Sequence, residues 1–119
     1  MFWIFVILIV LVAAVGASYQ ISQTAADARL FPPPGRLITI APGRRLHLNC
    51  RGTGTPTVIL EAGIAASSLS WSRVQPRVAE STRVCSYDRG GLAWSDPSAP
   101  PLTAMHMATQ LHTLLRAAS

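Results

Sequence analysis

The chain has no lysine, few acidic residues and only two cysteines among its 119 residues. Two cysteines are too few for a disulfide-rich scaffold or a cysteine-based zinc cluster. The net charge of +5 comes from ten arginines against five acidic residues. These arginines are scattered and not interleaved with aromatic residues, so we expect no nucleic-acid partner.

Histidine is also scarce. His47 lies in a predicted strand, and His106 and His112 are six residues apart in a predicted helix. This separation does not place two ligands on one helical face, as a separation of four residues would. We therefore expect no metal site, and we expect all three histidines to be exposed to solvent.

A long apolar run begins the chain. Phe2–Ala17 contains no charged residue, and the residues after it can extend a helix towards the ~20 residues that cross a bilayer. Trp3 and Tyr19 flank the run, as aromatic residues do at membrane interfaces. Residues 1–21 are predicted to be a transmembrane anchor in the lipid bilayer. The alternative is a cleaved signal segment, since Val15-Gly16-Ala17 fits a cleavage site.

The segment after this run is predicted to connect it to a folded domain. Residues 22–36 are polar and small at first and end in three prolines and a glycine, which is typical of a tether. Arg29 and Arg36 lean towards a cytoplasmic location for the following chain. Export after signal cleavage is the alternative, and the side of the membrane is left open.

Beyond the tether, short runs typical of β-strands alternate with turn signals. Leu37–Ile40 and Arg45–Arg51 are predicted to form a hairpin around Pro42-Gly43. The apolar centre of Thr57–Glu61 predicts a strand buried on both faces, and Thr82–Tyr87 predicts another strand.

Two helices are predicted among these strands. Residues 70–80 form the first, with Pro76 either resetting its start or kinking it, and Thr103 caps a second that continues to about Ala117. The expected buried stripe of the second helix consists of Met105, Ala108, Leu111 and Leu115. A hairpin followed by strand, helix, strand and helix predicts an α/β fold with a parallel sheet.

The ends of two predicted strands carry the candidate functional residues, because ligands of parallel sheets bind beyond the carboxyl ends of strands. At the first end, Gly63 and the small residues after it allow backbone N–H groups to approach a ligand, as an oxyanion site requires. The alternative is a plain connection from strand to helix. At the second end, Asp88 and Arg89 favour a network that orders the loops.

The motifs of this region follow one another in a known order. After the segment 45–54 come TVILEAG, SSLSW and RVCSYDRGGLAWSD, and then the closing helix. Together they resemble the N-terminal part of the α/β-hydrolase fold superfamily, and especially bacterial members with a membrane segment and a PPPGR tether. The resemblance implies that residues 37–119 form an incomplete α/β-hydrolase sheet, a hairpin and two β-α units, which stops before the nucleophile elbow.

The resemblance also implies which backbone group would act. In the family, the residue after the Ala-Gly pair supplies one N–H of the oxyanion hole, and here this residue is Ile64, with Gly63 and Ala65 beside the substrate. The second N–H follows the nucleophile of a Gly-x-Ser-x-Gly elbow, a motif that does not occur up to Ser119. The acid and the catalytic histidine come later in the family, so no residue here is assigned those roles.

The implied function is that of a fragment of a membrane-anchored, serine-type hydrolase acting on a small ester-like molecule. No cofactor is implied, and the 119-residue chain alone is expected to be inactive. The alternative is a non-catalytic, membrane-tethered truncated product or binding remnant.

Further expectations concern single residues. The strand order of the family makes Cys50 and Cys85 neighbours, which implies a disulfide in an exported domain and two buried thiols in a cytoplasmic one. Glu61 is expected to pair with Arg89 and not to act as an acid.

The family has glycine where this chain has alanine at three loop positions, Ala65, Ala66 and Ala93. If any of them adopts a positive φ, the backbone conformation costs on the order of 1 kcal/mol.

Overall fold

The computed structural model describes residues 2–119, and Met1, the first residue of the expected anchor, lies outside them. The chain divides into two compact units, with the boundary between Pro32 and Pro33. The first unit is the 29-residue helix α1 (Phe2–Leu30), whose most apolar window has a mean hydropathy of 2.5. This helix is long and apolar enough to cross a bilayer, a property that signal sequences share.

Helix α1 continues past residue 21, so the prediction of a tether over residues 22–36 is wrong for its first part. Alanines favour the helix, and neither glycine nor proline interrupts the chain from Ser18 to Leu30. The hydroxyls of Ser18 and Thr24 donate to carbonyls one turn earlier, at 2.9 Å in each case. Prolines at 32–34 cannot continue the helix, and the non-helical connection is therefore confined to residues 31–35.

The second unit is built on a four-stranded sheet in the order β1-β2-β4-β3. Its strands are β1 (Arg36–Ala41), β2 (Arg44–Arg51), β3 (Val58–Leu60) and β4 (Val84–Tyr87). Strands β1 and β2 form the expected antiparallel hairpin, β2 pairs antiparallel with β4, and β3 pairs parallel with β4. The α/β fold predicted from the sequence is confirmed.

Helical segments cover both faces of this sheet. A short 3₁₀ helix (Ser68–Trp71) and α2 (Gln75–Ala79) replace the single helix that was expected over residues 70–80. They lie on one face, where the Ser86 hydroxyl donates to Gln75 Oε1 at 2.9 Å. Helix α3 (Ala104–Ala117) lies on the other face, and Thr103 is its N-cap, whose hydroxyl accepts a hydrogen bond from the His106 N–H. This is the predicted cap.

The two faces of the sheet differ in polarity. The face towards α3 is apolar, with Leu46, Leu48, Cys85, Tyr87 and Leu114 forming the core. Full burial of one leucine side chain such as that of Leu114 contributes about 1.5–3 kcal/mol to stability. The face towards α2 buries His47, Gln75 and Ser86, which are polar. Buried polar groups must form hydrogen bonds inside the protein, so this second face depends on specific partners.

The buried stripe of α3 differs from the predicted one. Gln110 and Leu114 are buried, whereas Met105 is 76% exposed, and Ala108 is exposed as well. The amide Nε2 of Gln110 lies 2.8 Å from both Ser98 Oγ and a ring nitrogen of His106. Of the predicted stripe, Leu111 does pack against the core, and the buried Gln110 lies outside the stripe because a pattern of hydrophobicity does not identify a polar residue that is buried with partners.

Candidate functional site

The carboxyl ends of β3 and β4 lie side by side, because these two strands are parallel neighbours. Strand β3 is followed by Glu61 and by the segment Ala62–Ser67, which we call the β3 loop. Strand β4 is followed by Asp88 and Arg89. The structure therefore brings the candidate residues of the two predicted strand ends to one edge of the sheet, where ligands of such sheets bind.

Asp88 and Arg89, which directly follow β4, each bind one end of the β3 loop. The Arg89 guanidinium donates through Nη2 to the carbonyl oxygen of Gly63. Asp88 Oδ1 accepts a hydrogen bond of 2.6 Å from the N–H of Ser68, directly after the loop. A turn within the loop places the Ala66 N–H 3.2 Å from the Gly63 oxygen. The backbone of the loop is thus held at both ends.

Ile64 lies at the tip of this loop, with 94% of its surface exposed. Among residues 2–119, no acceptor forms a hydrogen bond with the Ile64 N–H. Ile64 and Ala65 also line a cavity of about 350 Å³, whose other walls include Leu92, Leu102 and Met107. The loop therefore presents a free backbone donor beside a largely apolar cavity.

The backbone of two alanines is strained in this region. Ala65 has a φ of 57° and Ala93 a φ of 43°, and both values lie in the left-handed region. Ala66 is not among the described residues with positive φ. Because a Cβ atom crowds the neighbouring carbonyl oxygen there, each of the two positions costs about 1 kcal/mol or more relative to glycine.

The prediction that His47 is exposed is wrong, because its side chain is fully buried against Asp88. His47 Nδ1 lies 2.8 Å from Asp88 Oδ2, and both side chains are 0% exposed. The N–H of Gly35 donates to His47 Nε2 at 3.2 Å. Since Nε2 accepts a hydrogen bond in this contact, it carries no hydrogen, and Nδ1 carries the hydrogen of the neutral ring and donates a hydrogen bond to the carboxylate.

A loop after β4 encloses this pair. The His47 N–H donates to Ser95 Oγ at 2.9 Å, and the Ser95 hydroxyl donates to the Asp88 carbonyl at 2.6 Å. The Trp94 ring covers the imidazole, with the ring centroids 5.0 Å apart. Asp96 pairs with Arg45 at 3.0 Å and secures the loop to β2. The pair is thus a buried structural element and not a solvent-facing acid or base.

Hydrogen bonds keep Asp88 ionised despite its burial. Burial by itself raises the pKa of the carboxyl, but the hydrogen bonds from His47 and from the Ser68 N–H outweigh it, and the pKa is lower than usual. Asp88 is therefore a hydrogen-bond acceptor near neutral pH and not a proton donor.

Glu61 contacts residues after and within β4. Its Oε1 lies 3.9 Å from Arg89 Nη1, an ion-pair distance that is too long for a hydrogen bond. Burial is the main cause that raises the pKa of Tyr87, and the charge and hydrogen bonding of Glu61 raise it further. Glu61 thus belongs to a network with Tyr87 and Arg89.

The two cysteines are directly opposite each other in β2 and β4, and a disulfide joins them. Their Cα atoms are 4.0 Å apart, and the bond closes a loop between residues separated by 35 positions. Cys85 is 2% exposed and belongs to the core under α3.

The remaining histidines form no constellation. His106 contacts Gln110, and His112 is exposed on α3. Within residues 2–119 there is no group of three or more side chains that could hold a metal ion.

No family model matches the chain. A probable transporter efuK from Hormonema carpetanum is 36% identical over 67 residues, which are 55% of this chain and 10% of that protein. The epoxide hydrolase CorEH superposes with a TM-score of 0.59 and 30% identity over 66% of this chain and 28% of its own. For an α/β hydrolase fold protein from Burkholderia ambifaria, the TM-score is 0.55 and the identity 26%, over 69% and 32% of the two chains.

Other matching structures are an enol-lactonase, a bromoperoxidase and an esterase. The chain spans about 30% of the length of the solved structures that it matches. The resemblance inferred from the motifs is confirmed: the chain is related to the α/β-hydrolase fold superfamily, of whose fold it contains an incomplete part.

Proposed function

We propose that the chain is the N-terminal part of a membrane-anchored, serine-type α/β-fold hydrolase that acts on a small ester-like molecule. The observation that carries this proposal is the free N–H of Ile64, presented by a loop that Asp88 and Arg89 hold at both ends. The hydrolases, lactonase and esterase among the structural matches support a hydrolytic reaction.

The Ile64 N–H would stabilise negative charge during the reaction. When a nucleophile attacks an ester carbonyl, the oxygen becomes an oxyanion, and donors that already point at its position lower the barrier. A donor fixed by its surroundings needs no reorganisation at that moment. One such donor typically accounts for a factor of about 10²–10³ in kcat.

The proposed nucleophile and base belong to residues other than those described. No serine hydroxyl within residues 2–119 is hydrogen-bonded to the ring of a histidine, and the buried hydroxyls of Ser86 and Ser95 donate to Gln75 and Asp88. A serine activated by an adjacent base is what this chemistry requires. The assay must therefore use the protein encoded by the whole reading frame.

Replacing Ile64 by proline tests the proposal, because proline has no N–H. In the protein from the whole reading frame, kcat for a p-nitrophenyl ester is expected to fall about 10²–10³-fold in Ile64→Pro. Ile64→Ala is the matched control: it keeps the N–H, and the side chain that it shortens is 94% exposed. Its kcat should stay within about threefold of the wild type.

Two results would contradict the proposal. The first is a reading frame without a strand and a Gly-x-Ser-x-Gly motif after Ser119, which would favour the non-catalytic, membrane-tethered product. The second is full activity in an Ile64→Pro variant whose circular dichroism spectrum matches that of the wild type.

We further propose that α1 is retained as a single-pass anchor and that residues 33–119 lie on the oxidising side of the membrane. The disulfide between Cys50 and Cys85 supports this side, since such bonds persist in oxidising compartments. The positions of Arg29 and Arg36 after the apolar run favour the cytoplasmic side instead. We give more weight to the disulfide than to the two arginines in assigning the side of the membrane, because the disulfide depends directly on the redox state of the compartment.

Thiol labelling of the membrane-bound chain tests the side. With a maleimide reagent under denaturing conditions, we expect no labelled cysteine before reduction and both Cys50 and Cys85 labelled after it. Equal labelling with and without reductant would show free thiols and overturn the assignment. A shortened N-terminus in the mass of the isolated protein would indicate signal cleavage and overturn the anchor.

A further inference from the structure

The peptide group between Gly63 and Ile64 links Arg89 to the proposed oxyanion donor. A trans peptide group is planar, and its C=O and N–H point in opposite directions. Arg89 Nη2 donates to the carbonyl oxygen of this group, and the Ile64 N–H is its other end. A hydrogen bond that fixes the carbonyl direction therefore also fixes the direction of the N–H.

We propose that Arg89 is a positioning residue for the Ile64 N–H, and that Asp88 restrains the far end of the same loop. This inference rests on the proposed function for its catalytic meaning, but the contacts are independent of it. Arg89 acts through the Gly63 carbonyl, and Asp88 acts through the Ser68 N–H.

The surroundings hold the Arg89 guanidinium in place. Its side chain is 17% exposed, and Nη1 lies 3.9 Å from both Met107 Sδ on α3 and Glu61 Oε1. The flat guanidinium has fixed directions for its N–H groups, so contacts on one nitrogen orient the other. Glu61 acquires a role here, because its charge restrains the arginine that binds the loop.

Arg89 also affects the electronic character of the donor. A positive group at a carbonyl oxygen polarises the peptide group, and hydrogen bonds in such chains strengthen one another. The Ile64 N–H thereby becomes a better donor to an anion. Lysine carries the same charge but lacks the fork, so it can replace only part of this arrangement.

Asp88 holds the loop through a buried chain of hydrogen bonds. Gly35 donates to His47, His47 donates to Asp88, and Asp88 accepts from the N–H of Ser68. The side chains of His47 and Asp88 are fully buried, so they have no water as an alternative hydrogen-bond partner and keep one arrangement. The end of the loop at Ser68 is therefore fixed to β2 and β4.

The test measures the order of the loop in the 119-residue chain held in detergent micelles. For the wild type, the ¹⁵N order parameter of the Ile64 amide is expected to be about 0.8, close to that of rigid backbone. In Arg89→Gln it should fall below about 0.6, while the amides of Leu46 and Leu48 in β2 stay unchanged. Arg89→Lys should give an intermediate value, because it restores the charge.

Arg77→Gln is the matched control. The substitution removes the same charge from a side chain outside the loop, which is 83% exposed and lies 3.9 Å from Glu80. Its Ile64 order parameter should equal that of the wild type. An unchanged Ile64 amide in Arg89→Gln would overturn the positioning role. If that variant does not fold, an unchanged Ile64 amide shift and order parameter in Arg89→Lys would overturn it.

Activity of the protein from the whole reading frame separates this inference from the proposed function. We expect Arg89→Gln to lower kcat about 10–100-fold with little change in KM, as a misplaced catalytic group does. A mobile loop with full activity in both Arg89→Gln and Ile64→Pro would keep the positioning role and reject the oxyanion role. Loss of activity in Ile64→Pro with an unaltered loop in Arg89→Gln would keep the oxyanion role of Ile64 and reject the positioning role of Arg89.

Discussion

Replacing His47 by alanine is expected to lower the free energy of unfolding by about 3–5 kcal/mol, because an ionised group then remains buried without its main partner. The Asp88 carboxylate would keep the Ser68 N–H but lose the imidazole donor at 2.8 Å. The substitution also opens a cavity beneath the Trp94 ring, which contacts the imidazole. The measurement is urea unfolding of the full chain in micelles, followed by near-UV circular dichroism.

His112→Ala is the control for this prediction, since it removes the same side chain from an exposed position on α3. Its unfolding free energy should lie within about 0.5 kcal/mol of the wild type. A similar small effect for His47→Ala would contradict the buried pair.

Acid pH provides a second readout of the same substitution. In the wild type, the pKa of Asp88 is lower in the folded protein than in the unfolded chain. Its contribution to stability is therefore present above the unfolded pKa of about 3.9 and is lost as the pH falls through the folded pKa. The cost of His47→Ala should shrink over that range, because a protonated Asp88 is no longer a buried charge. Hydrogen bonds with Arg45 also lower the pKa of Asp96, but that loss is common to both proteins and cancels.

Local patterns predicted the elements of the fold, but not its polar face. The strand expected over Thr57–Glu61 is Val58–Leu60 in the structure, and Thr103 caps α3 as expected. These features depend on residues that are close in the sequence, which determine the alternation of strands, the turns and the caps of helices. The error at His47 arose because alternation assigns residues to faces without showing what covers each face.

The partners of the candidate site are distant in the sequence. His47 meets Asp88 across 41 positions and Ser95 across 48. A periodic pattern of hydrophobicity does not show which residues at such separations will be in contact. One signal was available, because a strand within a sheet that helices cover on both faces buries its polar residues too, and a buried histidine needs a partner. The aspartate directly after the neighbouring strand was a suitable candidate.

The position of Ile64 could be expected from its motif, whereas the means of holding it could not. The Ala-Gly pair locates the turn after β3, but the Gly63 carbonyl is bound by an arginine 26 positions away. The comparison with the family singled out Ala65, Ala66 and Ala93 as positions where a positive φ would be costly, and the structure has a positive φ at Ala65 and Ala93. The loop thus keeps a backbone shape suited to glycine although its sequence has alanine there.

Replacing Gly35 by alanine is expected to destabilise the second unit by about 3 kcal/mol or more, because the new methyl group would overlap with backbone atoms. An ideal Cβ at this position lies 2.2 Å from the Leu48 carbonyl oxygen and 2.7 Å from the Asn49 Cα. No side-chain rotation can relieve these contacts, so the start of β1 must move away from β2. That movement also removes the hydrogen bond from the Gly35 N–H to His47 Nε2.

Gly63→Ala is the matched control, because it adds the same methyl group in open space. No atom lies within 4 Å of an ideal Cβ at Gly63, and its φ is outside the positive region. Its unfolding free energy should therefore change by less than about 1 kcal/mol, and in the stabilising direction if the lower entropy of the unfolded chain dominates. Equal stability of Gly35→Ala and Gly63→Ala would mean that the chain does not enter the sheet next to β2. If Gly35→Ala is the less stable of the two variants, as predicted, the close packing at Gly35 and the buried His47–Asp88 pair depend on each other. The Gly35 N–H connects them, because it donates to His47 Nε2.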